Sequence, residues 1–372
     1  MIYFDNAATT FPKPDCVYDA IQYGMRQYSF NAGRGSYQSS KKTFDMIEET
    51  RNKIASLVDT EGNKVIFTSS ATESLNNILY GLSLSSNDYV LVSPFEHNAV
   101  IRTLHNIGVN IIFIPFNKDT WELIINDLND LCIIKKPKAT VISHISNVTG
   151  YELPYKEIFN ITKKYQSTNI LDCAQSFGIF PVEKANVDFL IFAGHKSLYA
   201  MFGIAGYINL GDIPLSLYKV GGTGTDSLNP NMPDYAPTRY EAGSPNSVGV
   251  FSINKSIDYL KTENFAEKER RLSEYLINKL SNLKEVHMYL PTGYISRGIV
   301  SFNIDGFSSD EIGNILSDDY DISVRTGYHC APYIHEFIDS LKFNGTVRVS
   351  LGVFNTKAEI DKLIQALKEI IQ

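Results

Sequence analysis

Cysteine is scarce in this chain and widely scattered. The 372 residues contain four cysteines, at positions 16, 132, 173 and 330. This pattern has neither the spacing of metal ligands nor the density of a disulfide framework. We therefore expect reduced thiols and no metal site, and any cysteine with a special role must owe it to its location.

Long basic and long apolar runs are also missing. The formal net charge is −7 and the pI is near 5.6, so nothing indicates binding to nucleic acid or to an anionic membrane. The first residues lack a basic region followed by an apolar one, and no later segment is apolar for long enough to span a bilayer. We expect a cytoplasmic enzyme.

What the chain does contain is enough apolar material for a large core. Apolar residues make up 44% of the sequence, and the length suggests two or more domains. From Tyr89 to Val182, short apolar strands alternate with helical segments, which is typical of an α/β fold with a mostly parallel sheet. The character of the chain changes at a helix beginning near Val248. We predict a large domain over 15–250 and a smaller C-terminal α/β domain over 251–372, joined by the N-terminal segment 1–14.

One predicted helix carries a clear apolar face. Residues 43–58 have helical periodicity, and the pattern predicts that one side of this helix packs on the core. The residues predicted on that face are Phe44, Ile47, Ile54 and Leu57.

The chemistry concentrates between Asp172 and Lys196. Two strand-like runs, 169–174 and 188–193, each lead into reactive residues beside glycine. The carboxyl ends of neighbouring strands in an open α/β sheet gather ligands. We therefore expect Asp172, Gln175, His195 and Lys196 to meet in one site. A poorly solvated lysine there is suited to form a Schiff base, and a carboxylate on the adjacent strand suits the ring nitrogen of pyridoxal phosphate.

Two further stretches have the features of ligand sites. At residues 64–79 a strand passes through small hydroxyl residues directly into a helix, where free N–H groups with Ser70 and Thr72 would form a phosphate cradle. An ordinary helix N-cap uses the same residue types. His97 and Asn147 both follow strand ends, where an imidazole could stack on a cofactor ring and an amide could bind its oxygen.

Nearly the whole chain resembles the cysteine desulfurase branch of the class V aminotransferase-like pyridoxal-phosphate enzymes, a branch that includes selenocysteine lyases. A series of motifs stands in the family's order, and together they are far more specific than any one alone. They are Tyr-Phe-Asp-Asn-Ala-Ala-Thr-Thr, Phe-Thr-Ser-Ser-Ala-Thr-Glu-Ser, Glu-His97, Ser-Asn147-Val-Thr-Gly, Asp172-x-Ala-Gln175, Gly-His195-Lys196, Glu-Ala-Gly-Ser244-Pro-Asn with Arg-Thr-Gly-Tyr-His-Cys330-Ala-Pro, and Arg348-x-Ser. The cysteine motif is similar to that of the SufS-like group, which has a short, ordered cysteine loop.

The resemblance implies the aspartate aminotransferase-like fold of pyridoxal-phosphate-dependent transferases and a role for each matched residue. Lys196 would hold the cofactor covalently, Asp172 would pair with its ring nitrogen, and His97 would stack on the ring. Asn147 and Gln175 would lie near the phenolate oxygen and the substrate. The remaining implied contacts are phosphate binding by Ala71, Thr72 and His195, with Gly243 and Ser244 reaching in from a second subunit, and carboxylate binding by Arg348.

The implied reaction converts L-cysteine to L-alanine. Lys196 would remove the α-proton, and Cys330 as a thiolate would take the sulfur as a persulfide. A homodimer and a sulfur-acceptor protein would follow, serving iron–sulfur cluster assembly or thio-cofactor supply. The same residues leave open a selenocysteine lyase, a class V aminotransferase, or an idle regulatory homologue, although the neighbouring His329 and Cys330 favour sulfur transfer.

Four departures from the family pattern affect the phosphate site and the loop after Lys196. Ala193 stands where many relatives have a serine, Ser70 where glycine is common, and Ser244 where threonine is common. Ala200-Met201 stands where Gly-Pro is usual. These changes leave the chemistry of Lys196 intact and bear on phosphate affinity and the shape of the entrance.

Overall fold

The structure is a computed structural model that describes residues 1–33 and 35–372. That part of the chain contains eleven α-helices and twelve β-strands. The helices are α1 Asp15–Gln27, α2 Gln38–Ser56, α3 Ala71–Gly81, α4 Asn98–Ile107, α5 Ile125–Lys135, α6 Tyr155–Thr162, α7 Ser247–Leu260, α8 Phe265–Leu280, α9 Ser309–Tyr320, α10 Ile334–Phe337 and α11 Lys357–Ile371. The strands are β1 Ile2–Tyr3, β2 Val65–Thr68, β3 Tyr89–Val92, β4 Asn110–Phe113, β5 Ala139–Ser143, β6 Thr168–Asp172, β7 Phe189–Ala193, β8 Ala205–Asn209, β9 Val286–Met288, β10 Ile299–Ile304, β11 Ile322–Ser323 and β12 Val347–Ser350.

The largest sheet has seven strands in the order β2-β8-β7-β6-β5-β3-β4. Five strands, β7, β6, β5, β3 and β4, are parallel to one another. Strand β8 runs antiparallel to both of its neighbours, β2 and β7. The predicted α/β fold with a mostly parallel sheet is therefore confirmed. Asp172 lies opposite Ile191 in the β6–β7 ladder, so the two strands that lead to Asp172 and Lys196 are direct neighbours.

Both faces of this sheet are buried, which explains its continuous apolar strands. Successive side chains of a strand point to opposite faces. Ile170 and Ile191 pack in one buried apolar cluster with α3 and α4, whereas Leu171 and Leu190 pack in another with α1, α2, α6 and α7. Helices on the two faces thus leave the ends of the strands as the place for a polar site. Within the described residues, no helix is long and apolar enough to cross a membrane.

A second, smaller set of strands carries the C-terminal part of the chain. Strands β12, β10 and β9 form an antiparallel sheet, and β1 pairs in parallel with β11. The N-terminal segment continues along this region, since Asp5 bridges to Ser350 at the end of β12. The first residues of the chain are therefore built into the C-terminal part. The predicted domain boundary at residue 250 falls within α7, and the division into domains stays a prediction.

One detail of the sequence prediction was wrong. Phe44 was expected on the buried face of the second helix, and its side chain is 45% exposed, while Ile47 and Ile54 are buried as expected. α2 begins at Gln38, five residues before the predicted start. Phe44 borders a surface cavity beside the segment 241–246, which sequence periodicity does not reveal.

Gly206 allows the antiparallel strand β8 to pack between its neighbours. A Cβ at this position would lie 2.4 Å from the carbonyl oxygen of Ile66 and 2.5 Å from the ring of Phe192. Gly206→Ala should therefore destabilise the protein by about 1–3 kcal/mol, the usual cost of overpacking. Urea unfolding measures this change. Gly221→Ala is the matched control, because its new Cβ would make only an ordinary 3.7 Å contact. Equal stability of the two variants would contradict this account of β8.

Candidate active site

A cavity of about 240 Å³ opens at the carboxyl ends of the parallel strands, beside β12. Its lining includes Ala7 and Ala8 of the N-terminal segment as well as residues of both larger sheets. Nine of the residues predicted from the sequence line this single cavity: Ala71, Thr72, His97, Asn147, Asp172, Gln175, His195, Lys196 and Arg348. The topology thus gathers residues that are up to 277 positions apart in the chain (348 − 71).

The N-terminal segment fixes the backbone that carries Lys196. The carbonyl oxygen of His195 accepts hydrogen bonds from the N–H of Thr10 at 3.1 Å, from Thr9 Oγ1 at 3.1 Å and from Lys13 Nζ at 3.0 Å. Just before it, Gly194 approaches Ile204 so closely that a Cβ would lie 2.5 Å from the Ile204 carbonyl oxygen. The His195–Lys196 backbone is therefore held from two sides.

Lys196 and Asp172 interact inside the cavity. Burial lowers the pKa of Lys196, and the charge of Asp172 opposes that shift. Burial raises the pKa of Asp172, while the N–H of Ala174, 2.9 Å from its carboxylate, and the charge of Lys196 oppose the rise. A lowered lysine pKa favours the neutral amine, which is the form that attacks a carbonyl carbon. A cationic ring nitrogen would favour the carboxylate form of Asp172.

His97 presents a neutral imidazole to the cavity. It is the N-cap of α4, and its Nδ1 accepts the N–H of Ala99 at 3.0 Å. Burial, with the charges of Lys196 and nearby arginines, lowers its pKa to about 3. The hydrogen bond fixes the ring orientation, so His97 can offer a flat, uncharged surface to a planar ligand.

The start of α3 forms the opposite wall of the cavity. The side chain of the N-cap Ser70 accepts a hydrogen bond from the N–H of Glu73 at 3.1 Å. The N–H groups of Ala71 and Thr72, in the first turn of α3, have no acceptor within the helix. His195 also borders this end, and its buried Nδ1 has no hydrogen-bond partner in the part of the chain that the structure describes. Burial lowers the pKa of His195 to about 4, so its ring is neutral. A neutral imidazole has one N–H that donates a hydrogen bond and one nitrogen that accepts one. These donors suit a phosphate group.

The amides of Asn147 and Gln175 are anchored by backbone carbonyl oxygens. Asn147 Nδ2 donates to the carbonyl of His329 at 2.7 Å, and Gln175 Nε2 donates to the carbonyl of Ala7 at 2.9 Å. Each amide keeps its side-chain oxygen and one N–H for a ligand. Both side chains are therefore oriented before any ligand binds.

Arg348 is fully buried and partly committed to protein partners. Its Nη2 lies 2.6 Å from Asp5 Oδ1, and its Nη1 donates to the carbonyl of Asn147 at 2.8 Å. Its Nε has no partner among the described residues. A guanidinium has five N–H donors, so Arg348 retains donors for a carboxylate that enters the cavity.

The residues of this cavity fit pyridoxal phosphate. A lysine with a lowered pKa, a buried carboxyl, a flat neutral imidazole and a helix start with an unpartnered imidazole nitrogen nearby are the groups that its aldehyde, ring nitrogen, ring face and phosphate need. Ala193 also lines the cavity, and its methyl group adds no phosphate donor. After Ala200-Met201, Phe202 stacks on His195 with ring centroids 4.7 Å apart and covers that histidine.

Cys330 lies just outside the lining and is connected to it by Arg325. The thiol is half-buried, and Arg325 Nη2 lies 3.3 Å from its Sγ. Arg325 itself lines the cavity. An arginine that contacts both the cavity and the thiol can stabilise a thiolate there.

Gly243 and Ser244 lie elsewhere in the single chain. They border a separate cavity of about 260 Å³ with Phe44, Arg51 and Phe67. Gly243, Ser244 and the two residues after them are exposed. Of the predicted site residues, only these two and Cys330 do not line the main cavity.

Sequence reasoning missed several residues that shape the site. Arg325 stands in the same motif as Cys330, and Asp5 stands in the first motif, so a search of the motifs for charged partners of Cys330 and Arg348 could have found both. Glu96 is less accessible to such reasoning. Its buried carboxyl accepts hydrogen bonds from the N–H and Oγ of Ser143, which lines the cavity, and burial raises its pKa to about 8.

Comparisons with known proteins agree with this geometry. The family model described as aminotransferase class-V matches residues 2–363. A probable cysteine desulfurase from Pyrococcus abyssi is 31% identical over all of this chain and 94% of its own length. A cysteine desulfurase from Haloferax volcanii is 29% identical over 99% of this chain and 88% of its own.

Solved structures show the same fold. The apo structure of a cysteine desulfurase from Thermococcus onnurineus superposes with a TM-score of 0.89 at 28% identity, covering 100% of this chain and 94% of the other. A cysteine desulfurase structure from Escherichia coli, with 23% identity and a TM-score of 0.84 over 99% of this chain and 94% of its own, supports the fold alone. With a cavity suited to pyridoxal phosphate and a family match over nearly its whole length, this chain belongs to the class-V aminotransferase family.

Proposed function

We propose that this protein is a cysteine desulfurase, which converts L-cysteine to L-alanine and passes the sulfur to Cys330 as a persulfide. Its cofactor is pyridoxal 5′-phosphate. One observation carries the proposal: a single cavity joins Lys196, Asp172 and Arg348, and its Arg325 contacts a half-buried thiol at the rim. Relatives named cysteine desulfurase, at 31% identity and below, support the same activity.

The cofactor would be held by the residues already named. Lys196 would bind it covalently, Asp172 would face the ring nitrogen, and His97 would lie against the ring. Asn147 and Gln175 would contact the phenolate oxygen. Ala71, Thr72 and His195 would bind the phosphate. When bound, pyridoxal phosphate supplies an electron sink that stabilises negative charge at the substrate α-carbon.

Arg348 would orient the amino-acid substrate. Its guanidinium is held by Asp5 and by the carbonyl of Asn147, so it meets the substrate carboxylate without first losing conformational freedom. With the substrate in place, the amine of Lys196 would remove the α-proton. The lowered pKa of Lys196 leaves more of this amine in the neutral form that can accept a proton.

Cys330 would then act as the nucleophile. Its thiolate attacks the sulfur of the substrate, so a sulfur–sulfur bond forms as the bond from Cβ to sulfur breaks. The electron pair of the broken bond stays with carbon, which gains a proton, and the products are alanine and the Cys330 persulfide. Arg325, 3.3 Å from Sγ, would stabilise the anionic sulfur before and after the transfer.

The same site supports a proposal for the oligomeric state and the cellular location of the protein. We propose a homodimer in which Gly243 and Ser244 complete the partner's phosphate site, supported by their exposed position away from their own cavity. We also propose a protein that accepts the persulfide sulfur for iron–sulfur clusters or thio-cofactors. Free thiols persist in the reducing cytosol, which supports a cytoplasmic location.

Lys196→Ala should abolish the yellow absorbance of the covalently held cofactor, because no other amine replaces it. Absorbance spectra of purified protein incubated with pyridoxal phosphate measure this loss. Lys53→Met is the control, since Lys53 is a partly buried lysine that pairs with Glu49 and Asp258 and does not line the cavity. Retention of the band in Lys196→Ala, or its loss in Lys53→Met alone, would contradict the assignment of the covalent bond to Lys196.

Cys330→Ala should bind cysteine as wild type does, but persulfide formation and alanine release should collapse. Binding needs Lys196, Asp172 and Arg348, whereas sulfur transfer needs the thiol. Alanine is measured by chromatography and persulfide by mass spectrometry of the protein.

Cys16→Ala is the control, because Cys16 is the other half-buried cysteine. Selenocysteine turnover should partly survive, since selenium is a better leaving group. Release of sulfide at the wild-type rate by Cys330→Ala would favour a lyase or an aminotransferase.

Ser244→Ala should weaken cofactor retention by roughly 1.5–3 kcal/mol, the value of one hydrogen bond to a charged group. Equilibrium dialysis measures the affinity, and light scattering measures the mass of the native particle. The Thr223→Ala change, in the same exposed loop region, should leave the affinity unchanged. A monomer with full cofactor occupancy would rule out the proposed contribution from a second subunit.

A further inference from the structure

A buried ion pair lies at the base of the exposed segment that carries Gly243 and Ser244. Arg51 in α2 and Glu241 form two parallel contacts, Nη1 to Oε1 at 2.7 Å and Nη2 to Oε2 at 3.1 Å. The side chain of Arg51 is 3% exposed and that of Glu241 is 20% exposed. The pair is therefore well shielded from water although it joins a helix to a surface loop.

Both partners are tied to strand β2 as well. Arg51 Nη1 donates to the carbonyl of Val65 at 2.6 Å, and its guanidinium stacks over the ring of Phe67 at 4.7 Å. Glu241 Oε1 accepts the N–H of Phe67 at 2.6 Å. Strand β2 is itself held by its antiparallel ladder with β8, so it is a fixed base for the ion pair.

The anchored segment has little regular structure of its own. Within the described stretch from 210 to 246, the chain forms one short 3₁₀ helix, Thr238–Tyr240, between β8 and α7. Glu241 follows that turn, and Gly243, with φ of 110°, is followed by the exposed Ser244. The ion pair thus lies two residues before the point where the chain turns outward.

Burying an ion pair is an inefficient way to gain stability, because removing both charges from water offsets most of their attraction. A two-point contact between guanidinium and carboxylate does fix direction, since both groups are planar. Another cation of the same helix illustrates the contrast, because Lys53 pairs with Asp258 and Asn254 of α7. Arg51 instead contacts Glu241, and this contact orients the segment that carries Gly243 and Ser244.

We infer that Arg51 is a positioning residue that acts between subunits: through Glu241 it holds Gly243 and Ser244 in the conformation that completes the phosphate site of the partner. This inference rests on the proposed dimeric desulfurase. It predicts that loss of Arg51 damages the cavity of the other subunit and spares the cavity of its own.

Mixed dimers test this directly. Two differently tagged chains are co-expressed, and one of them carries Lys196→Ala, so only the other chain's cavity can hold the cofactor covalently. Arg51→Met is then added either to the Lys196→Ala chain or to the other chain. The readout is the rate at which the yellow absorbance disappears during dialysis, which reports cofactor retention without any turnover.

The two arrangements should differ. With both changes on one chain, the remaining Lys196 cavity depends on a segment without its anchor, and it should lose cofactor about tenfold faster or more, as expected for one lost contact to a charged group. With the changes on different chains, loss should match that of the dimer carrying only Lys196→Ala. Equal acceleration in both arrangements, acceleration in the second alone, or none in either overturns the inference.

Four further variants separate this inference from its premise and from misfolding. Ser244→Ala in place of Arg51→Met tests the dimeric site alone: a between-subunit effect for Ser244 without one for Arg51 refutes only the role of Arg51, and no such effect for Ser244 refutes the shared site. Lys53→Met should change neither rate. Arg51→Lys and Glu241→Gln keep a side chain of similar length in place, and each should show the same asymmetry at a smaller amplitude, because each retains a single hydrogen bond where two existed.

Discussion

Arg348 joins the three parts of the chain at the point where the substrate would bind. Its guanidinium reaches Asp5 of the N-terminal segment and the carbonyl of Asn147 beyond β5, while its backbone belongs to β12. Removing one partner of a buried ion pair costs about 3–5 kcal/mol, because the remaining charge stays buried and unpaired. The position of the N-terminal segment, the C-terminal sheet and the mouth of the large sheet therefore depends on the same side chain that would hold the substrate carboxylate.

The charges around the cavity favour anionic ligands. Among the described residues that line it, Lys196, Arg325 and Arg348 are basic, and Asp172 is the one acidic residue. His97 and His195 stay neutral, because burial and these cations lower their pKa values to about 3 and 4. A phosphate and an amino-acid carboxylate thus meet positive charge, while the imidazole rings provide surface and single hydrogen bonds. Desolvation also keeps Lys196 reactive, so one physical cause sets the states of several groups.

Much of this arrangement could be predicted from the sequence, because the residues involved follow strand ends in a repeating βα pattern. That pattern predicts that the strands leading to Asp172 and Lys196 are neighbours, and β6 and β7 do pair directly in the structure. Strand β8, which runs antiparallel, and the exposure of Phe44 could not be read from periodicity, since both depend on what packs against them. Arg325 and Asp5 were missed for a different reason: their roles come from side-chain contacts with Cys330 and Arg348, and hydrophobic periodicity carries no information on such contacts. The division into two domains stays a prediction.

The loop that carries Cys330 is constrained by the cofactor site itself. His329 and Cys330 both have left-handed backbone conformations, with φ of 47° and 58°, which costs non-glycine residues of the order of 1–3 kcal/mol each. Three hydrogen bonds hold them there: Asn147 Nδ2 to the carbonyl of His329 at 2.7 Å, His329 Nε2 to the carbonyl of Thr346 at 3.0 Å, and the N–H of Asn98 to the carbonyl of Cys330 at 2.6 Å. Asn98 begins α4 immediately after His97, so the helix start that would place His97 against the cofactor ring also holds the backbone of Cys330. A short loop held in this way leaves Cys330 little freedom to travel, so under the proposed function a sulfur acceptor would have to approach the rim of the cavity to collect the sulfur.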